Sequence, residues 1–235
     1  MNREPLSNDR QVAIVDYGLG NLFSVKRACE QVGLSVFISG SARELFRADA
    51  VILPGVGAFG DAMAALNRTG LIGPLKDIAS SGKPVVGVCL GLQLLMTESF
   101  EFGRHRGLGI LDGPVVRFQN PQGPNGSLKV PQVGWNRVIR PGGRPDAWTE
   151  TPLDGIEDGE FMYFVHSFYA SPEDPDVRLA WSLYGGVKFC AAVRKNNVFA
   201  FQFHPERSGP AGLRIYRNIA RLIETGKPSE VLSHV

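Results

Sequence analysis

The sequence predicts an α/β fold: a central, mostly parallel sheet with helices on both faces, plus a smaller antiparallel sheet. Three observations carry this. The first half alternates short apolar runs with amphipathic segments, which is the pattern of βαβ units. The second half strings apolar runs together without long helices between them, which suits hairpins and antiparallel pairs. One amphipathic helix closes the chain and is placed to return to the first sheet.

Taken in order, Val12-Ala13-Ile14-Val15 reads as a strand buried on both faces. A helix follows over about Leu22 to Gln31, with Leu22, Val25, Ala28 and Cys29 on one side and Gly33 placed to end it. Leu34 to Ile38 and Val51 to Leu53 are the second and third strands, the latter stopped by Pro54. Helices are expected over about 60–67 and 72–80, and Val85 to Val88 is the fourth strand. Leu92, Leu95 and Met96 then fall on one helical face. In the second half, strands are expected at Val115 to Phe118, Arg137 to Ile139, Phe161 to Val165, Val177 to Trp181, Val187 to Val193 and Val198 to Phe203. Gln119 to Lys129 and Pro141 to Gly155, rich in Pro, Gly and Asn, are expected as surface loops. The last helix spans about Ala211 to Glu224, with Leu213, Tyr216, Ile219, Leu222 and Ile223 inward. Residues 11–226 are expected to form a single domain, with a loose N-terminal tail over 1–10 and a C-terminal tail over 227–235.

Composition narrows the function. With 20% charged and 43% hydrophobic residues, the chain fits a globular domain. A net charge of +2 gives no electrostatic footprint for nucleic acid. No apolar run approaches the roughly 20 residues that span a bilayer, and Met1 to Arg10 lack the apolar stretch of a signal peptide. The cysteines, Cys29, Cys89 and Cys190, are odd in number and widely spaced. They suggest neither a disulfide framework nor a zinc site, so a cytoplasmic protein without metal or cofactor is expected.

The chemistry centres on Gly87-Val88-Cys89-Leu90-Gly91. Cys89 sits between a strand and a helix with a glycine two residues away on each side, the spacing of a nucleophile elbow with Cys in place of Ser. Small neighbours let the chain turn sharply and lift the sulfur into the open. The helix N-terminus beneath it favours negative charge, and the Leu90 N–H, having no helical partner, can donate to an oxyanion. A Cys nucleophile needs a base. Of four histidines, His234 is near the C-terminus and His105 lies between two arginines. His204 ends an apolar strand and is followed by Pro205, which fixes the turn, and by Glu206, which can fold back onto one imidazole nitrogen. His166 also ends a strand and is either a pocket residue or a satisfied strand-end histidine.

Gly55-Val56-Gly57-Ala58-Phe59-Gly60 is a literal G-x-G-x-x-G, the pattern of a dinucleotide loop. It follows the third strand rather than the first, and no acidic residue ends a strand about 20 residues later. The better reading is an oxyanion strand, in which glycines flanking Val56 let a peptide N–H of Val56 or Gly57 turn toward the site.

Gly87-Val88-Cys89-Leu90-Gly91 with Gln93, together with Phe203-His204-Pro205-Glu206, resembles the class I glutamine amidotransferases of the triad type, over about residues 11 to 225. The resemblance implies a flavodoxin-like fold and hydrolysis of glutamine to glutamate and ammonia through a thioester on Cys89. Asp16 to Asn21, Pro54 to Phe59, Val130 to Asn136 and Tyr163 to Ser167 further resemble the glutaminase subunits of imidazole glycerol phosphate synthase. The implied catalytic residues are Cys89, His204 and Glu206, and the implied oxyanion donors are Val56, Gly57 and Leu90. Gln93, Glu101, Ser167 and Phe168 would bind glutamine. The implied partner is a (βα)8-barrel cyclase subunit, in a heterodimer that uses the ammonia in histidine biosynthesis. Three rivals stand beside this: a related glutaminase feeding another ammonia-dependent synthase, for instance in amino-sugar synthesis, a non-catalytic chain of the same fold, and a peptidase of similar fold, which would leave Gln93 and the partner-type motifs without an explanation.

Overall fold

A computed structural model describes residues 10–124, 126–142 and 144–225. The expected tails, and His234 with them, lie outside these residues except at 10. The first half comprises β1 (Gln11–Val15), α1 (Leu22–Gln31), β2 (Ser35–Ser39), α2 (Ala42–Arg47), β3 (Ala50–Leu53), α3 (Phe59–Arg68), α4 (Ile72–Ser80), β4 (Val85–Val88) and α5 (Leu90–Leu95). The second half comprises β5 (Met96–Ser99), β6 (His105–Arg106), β7 (Leu111–Arg117), β8 (Gln122–Gly123), β9 (Gly126–Ser127), β10 (Gln132–Val138), β11 (Glu160–His166), β12 (Phe168–Ala170), β13 (Arg178–Tyr184), β14 (Val187–Lys195), β15 (Val198–Phe201) and α6 (Gly209–Thr225). Among the described residues no helix is long and apolar enough to cross a membrane.

The main sheet has seven strands in the order β13-β14-β15-β4-β3-β1-β2. Its five strands from β15 to β2 are parallel. Period-two alternation along each strand divides the interior into two cores. Val12, Ile14, Ile52, Val86 and Phe201 point to the side covered by α1 and α6. Ala13, Val15, Val51, Leu53, Val85 and Ala200 point to the side covered by α3, α4 and α5. The sheet is therefore wound on both faces, as the alternating first half predicts.

The antiparallel strands do not gather into one smaller sheet. After the β13–β14 hairpin the chain makes β15, which pairs antiparallel with β14 and parallel with β4. The hairpin is thereby carried onto the main sheet as its far edge. The remainder forms a four-stranded sheet, β12-β7-β5-β6, whose β5–β7 pair is parallel, and the separate pairs β10–β11 and β8–β9.

Three further differences have local causes. Met96 does not continue α5: it opens β5 and pairs with Leu111 of β7. The short helix α2 was not expected; its single buried residue, Leu45, gives too weak a periodicity. The segment 141–155 is not wholly a surface loop, because Trp148 and Leu153 are buried. The Trp148 indole donates to the Leu179 carbonyl at 2.7 Å, pinning the segment to β13.

Candidate active site

Register sets the site. Leu53 lies opposite Gly87, and Val88 lies opposite Phe201, so β3, β4 and β15 end side by side. Open parallel sheets bind ligands at these carboxyl ends. The chain leaving β3 is Pro54 to Gly57, the residue after β4 is Cys89, and the chain leaving β15 is Gln202, Phe203 and His204.

Cys89 has φ 53° and ψ −106°, a left-handed conformation that costs of order 1–3 kcal/mol for a residue with a side chain. Its N–H donates to the Phe201 carbonyl at 2.7 Å, so sheet pairing reaches the turn itself and holds it. The glycine frame has a steric origin. A methyl group at Gly91 would run into the Leu53 carbonyl oxygen, and one at Gly87 would lie 2.9 Å from the Ala200 Cβ. The elbow can pack against β3 and β15 only because neither position carries a side chain.

His204 and Glu206 meet as the motif suggests. His204 Nδ1 lies 2.8 Å from Glu206 Oε1, and both side chains are buried. The turn beneath them is locked: Ser208 Oγ donates to the His204 carbonyl at 2.7 Å and accepts from the Tyr163 N–H at 3.0 Å. His204 Nε2 is buried and makes no hydrogen bond. It faces the same cavity as Cys89. Burial works against an imidazolium here, but Cys89 and then Glu206 outweigh it and raise the His204 pKa to about 10. A charged His204 is thus the favoured state at neutral pH.

A raised His204 pKa stabilises the native state most fully below about pH 6.5, the ordinary imidazole value, and that contribution is lost as pH rises through about 10. Turnover at this site is expected to hold through neutral pH and to fall toward about pH 10 as the imidazolium disappears. Glu206→Gln keeps an oxygen for Nδ1 but removes the counter-charge. Its alkaline fall should come at lower pH, and turnover should drop about 30-fold, the worth of roughly 2 kcal/mol for a charge-assisted hydrogen bond. A pH–rate profile with the melting temperature measured in parallel checks this. Lower stability with unchanged turnover would make Glu206 an ordinary turn carboxylate.

The cavity around Cys89 has a volume of about 320 Å³ and adjoins a larger one of about 690 Å³ that shares Glu101, Ser167 and Phe168. Val56, Gly57, Leu90, Gln93, Glu101, Ser167 and Phe168 all line it. Gly57 has φ +107° with open space around it, so a side chain there meets backbone strain rather than a clash. The Tyr17 hydroxyl donates to the Pro54 carbonyl at 2.8 Å and ties this loop to the end of β1. Gln93 is buried, and its Nε2 donates to the Phe168 carbonyl at 2.8 Å.

Glu101 accepts from the Phe59 N–H at 2.6 Å, at the start of α3. A carboxylate therefore occupies the helix N-terminus that a dinucleotide loop would offer to a pyrophosphate. That argues against the dinucleotide reading of the G-x-G-x-x-G pattern. His105 is in the short strand β6 and packs against α3 at Gly60, away from the Cys89 cavity.

His166 proves to line the cavity. Its Nδ1 lies 2.9 Å from the Phe168 carbonyl, so Nδ1 carries the proton and the buried Nε2 is an unpaired acceptor. Burial lowers its pKa to about 3, with His204 adding to the effect and the Phe168 carbonyl opposing it. His166 is thus neutral where His204 is charged. Gln202 escaped the sequence reading. It is fully buried and lies against both Gln93 and Cys89. The available signal was a carboxamide in the otherwise apolar run Val198 to Phe203, since a buried amide needs partners.

Comparison with known proteins identifies the family. A model of the glutamine amidotransferase class-I family matches residues 13–222. The imidazole glycerol phosphate synthase subunit HisH of Syntrophotalea carbinolica is 47% identical over 209 residues, which cover 88% of this chain and 98% of that protein. The HisH of Rhodopirellula baltica is 46% identical over 89% of this chain and 96% of that protein. Among solved structures, PurLQS from Thermotoga maritima superposes with a TM-score of 0.68 at 22% identity, covering 91% of this chain and 99% of that one. A glutamine amidotransferase crystal structure gives 0.67 at 19%, covering 90% and 98%. At these identities the structural likeness speaks for the fold.

Proposed function

The chain belongs to the class-I glutamine amidotransferase family and, within it, to the HisH subunits of imidazole glycerol phosphate synthase, and we propose that it hydrolyses glutamine at Cys89 and passes the ammonia to a cyclase subunit. The observation that carries the site assignment is the placement of Cys89, His204 and the oxyanion candidates at the ends of three adjacent strands around one cavity.

Glutamine enters with its side-chain carboxamide at the elbow. Gln93, Glu101, Ser167 and Phe168 hold its polar groups. The Cys89 sulfur attacks the carboxamide carbon, and the oxygen takes up the negative charge. N–H groups of Leu90 and of the Val56–Gly57 strand stabilise it; one such donor is typically worth about 10²–10³ in rate. His204 Nε2–H gives its proton to the departing nitrogen, and ammonia leaves. The neutral imidazole then takes a proton from water, which attacks the thioester and releases glutamate. Glu206 holds the imidazole by Nδ1 throughout and is not itself the base.

The partner of this reading is a (βα)8-barrel cyclase subunit in a heterodimer. It combines the ammonia with a phosphoribulosyl aminoimidazole-carboxamide substrate in histidine biosynthesis. Three unpaired cysteines support a reducing, cytoplasmic setting. The test is reconstitution. Mixed with the cyclase subunit, the chain should support glutamine-dependent formation of imidazole glycerol phosphate. Mixed with an amino-sugar synthase subunit, it should support nothing. The reverse result would reassign the partner.

A further inference from the structure

We propose that Gln202 is a positioning residue for glutamine hydrolysis: its carboxamide links Gln93 to the Cys89 sulfur and presents that sulfur with a hydrogen-bond donor that holds it as a thiolate. This rests on Cys89 being the nucleophile. Gln202 directly follows β15 and has no exposure, so its donors and acceptor must be satisfied inside the protein.

The direction of the bonds follows from one fixed point. The Phe168 carbonyl can only accept, and Gln93 Nε2 lies 2.8 Å from it, so the Gln93 amide nitrogen must face that way. The same nitrogen lies 3.2 Å from Gln202 Oε1 and gives it a second hydrogen. With its oxygen committed to Gln93, Gln202 turns its Nε2 to the other side, where the Cys89 sulfur lies at 3.8 Å. An N–H cannot accept, so the sulfur is the acceptor, and the bond is stronger to a thiolate than to a thiol. The alternative partner of the sulfur is the Val165 carbonyl at 4.0 Å, which serves only a protonated S–H. The two contacts therefore favour opposite protonation states.

Other polar groups around the site leave this role open. The Tyr17 hydroxyl is engaged by the Pro54 carbonyl, and Glu101 by the Phe59 N–H. His166 directs its proton to the Phe168 carbonyl. His204, backed by Glu206, supplies the positive charge. Gln202 supplies the donor fixed in direction, and it ties that donor to a residue of the glutamine pocket.

The experiment is alkylation of the full chain by iodoacetamide across a pH series, with adducts located by mass spectrometry, in wild type, Gln202→Glu and Gln202→Met. Gln202→Glu keeps an acceptor for Gln93 and places a carboxylate oxygen against the sulfur. Gln202→Met keeps the shape and removes the donor; it carries the test if the buried carboxylate prevents folding. The rate–pH curve for Cys89 should move to higher pH in both variants, by about one unit for Gln202→Glu, with about tenfold slower alkylation at neutral pH. The kcat for glutamine should fall about tenfold or more, and KM should change less than about threefold, as expected for loss of an interaction at the reacting atom. Folded variants that keep the wild-type alkylation curve, whatever their melting temperatures, would reduce Gln202 to a packing residue. Wild-type modification that falls first on Cys29 or Cys190 would instead overturn the assignment of Cys89.

Discussion

Cys89→Ala abolishes glutamine-dependent synthesis by the complex, by about 10⁴-fold or more, and leaves synthesis from added ammonia in place. The size of the loss follows from removing a covalent nucleophile, for which the remaining oxyanion donors and binding groups compensate only slightly. The selectivity follows from the proposed heterodimer, in which the cyclase chemistry lies on the partner chain, and from alanine removing only the sulfur. The Cβ stays, so the elbow keeps the same left-handed backbone, held by the Cys89 N–H to Phe201 bond. Parallel assays with glutamine and with ammonium salt separate the outcomes. Loss of both activities would assign Cys89 a structural role.

The second large effect is activation by the partner. The isolated chain is expected to hydrolyse glutamine slowly, and docking of the cyclase subunit should raise the rate roughly 10²-fold or more, the value of one oxyanion donor. Val56 is 42% exposed at the mouth of the cavity. Nearby, the paired strands β10 and β11 bring Val133 opposite Val165 and Arg137 opposite Phe161, with Trp135 between. Val133, Trp135, Phe161 and Val165 are exposed, an apolar face that suits a docked partner. The glycines around Val56 allow two peptide orientations, one of which aims an N–H inward. Docking that favours the inward state by a few kcal/mol shifts most of the population. Glutamate release by the chain alone, with cyclase, and with cyclase plus its ligand measures the effect; equal rates in all three would sink it. Val56→Pro, which lacks that N–H, should block activation if Val56 is the donor.

The parallel half of the fold was legible because each strand is a continuous apolar run buried on two faces and each helix shows its own period. The second half was legible as strands but not as sheets. That β14 pairs with β15 is a local hairpin, but whether β15 joins β4 is decided by a pairing across more than a hundred residues that leaves no local mark. Trp148 was hidden in a segment whose Pro and Gly content describes its turns, not its anchor.

The site divides in the same way. Gly87 and Gly91 announced the elbow, because close backbone approach admits little else. His204-Pro205-Glu206 announced its contact, because two residues span it. The structure places Cys89 and His204, with Val56, Gly57, Leu90, Gln93, Glu101, Ser167 and Phe168, around one cavity, and sets Glu206 against His204. The role of Gln202 depends on Gln93 and Cys89, each more than a hundred residues away in sequence and brought to it only by folding. The neutral state of His166 depends on a burial that its strand-end position does not announce.

Acid quenching of the complex during turnover of isotopically labelled glutamine, followed by peptide mapping, measures the covalent intermediate itself. The label should appear as a γ-glutamyl thioester on the peptide containing Cys89, accumulate in Glu206→Gln if that variant slows the water step, and vanish in Cys89→Ala. Label on Cys29 or Cys190, or glutamine hydrolysis at full rate by Cys89→Ala, would contradict the nucleophile assignment on which the mechanism stands.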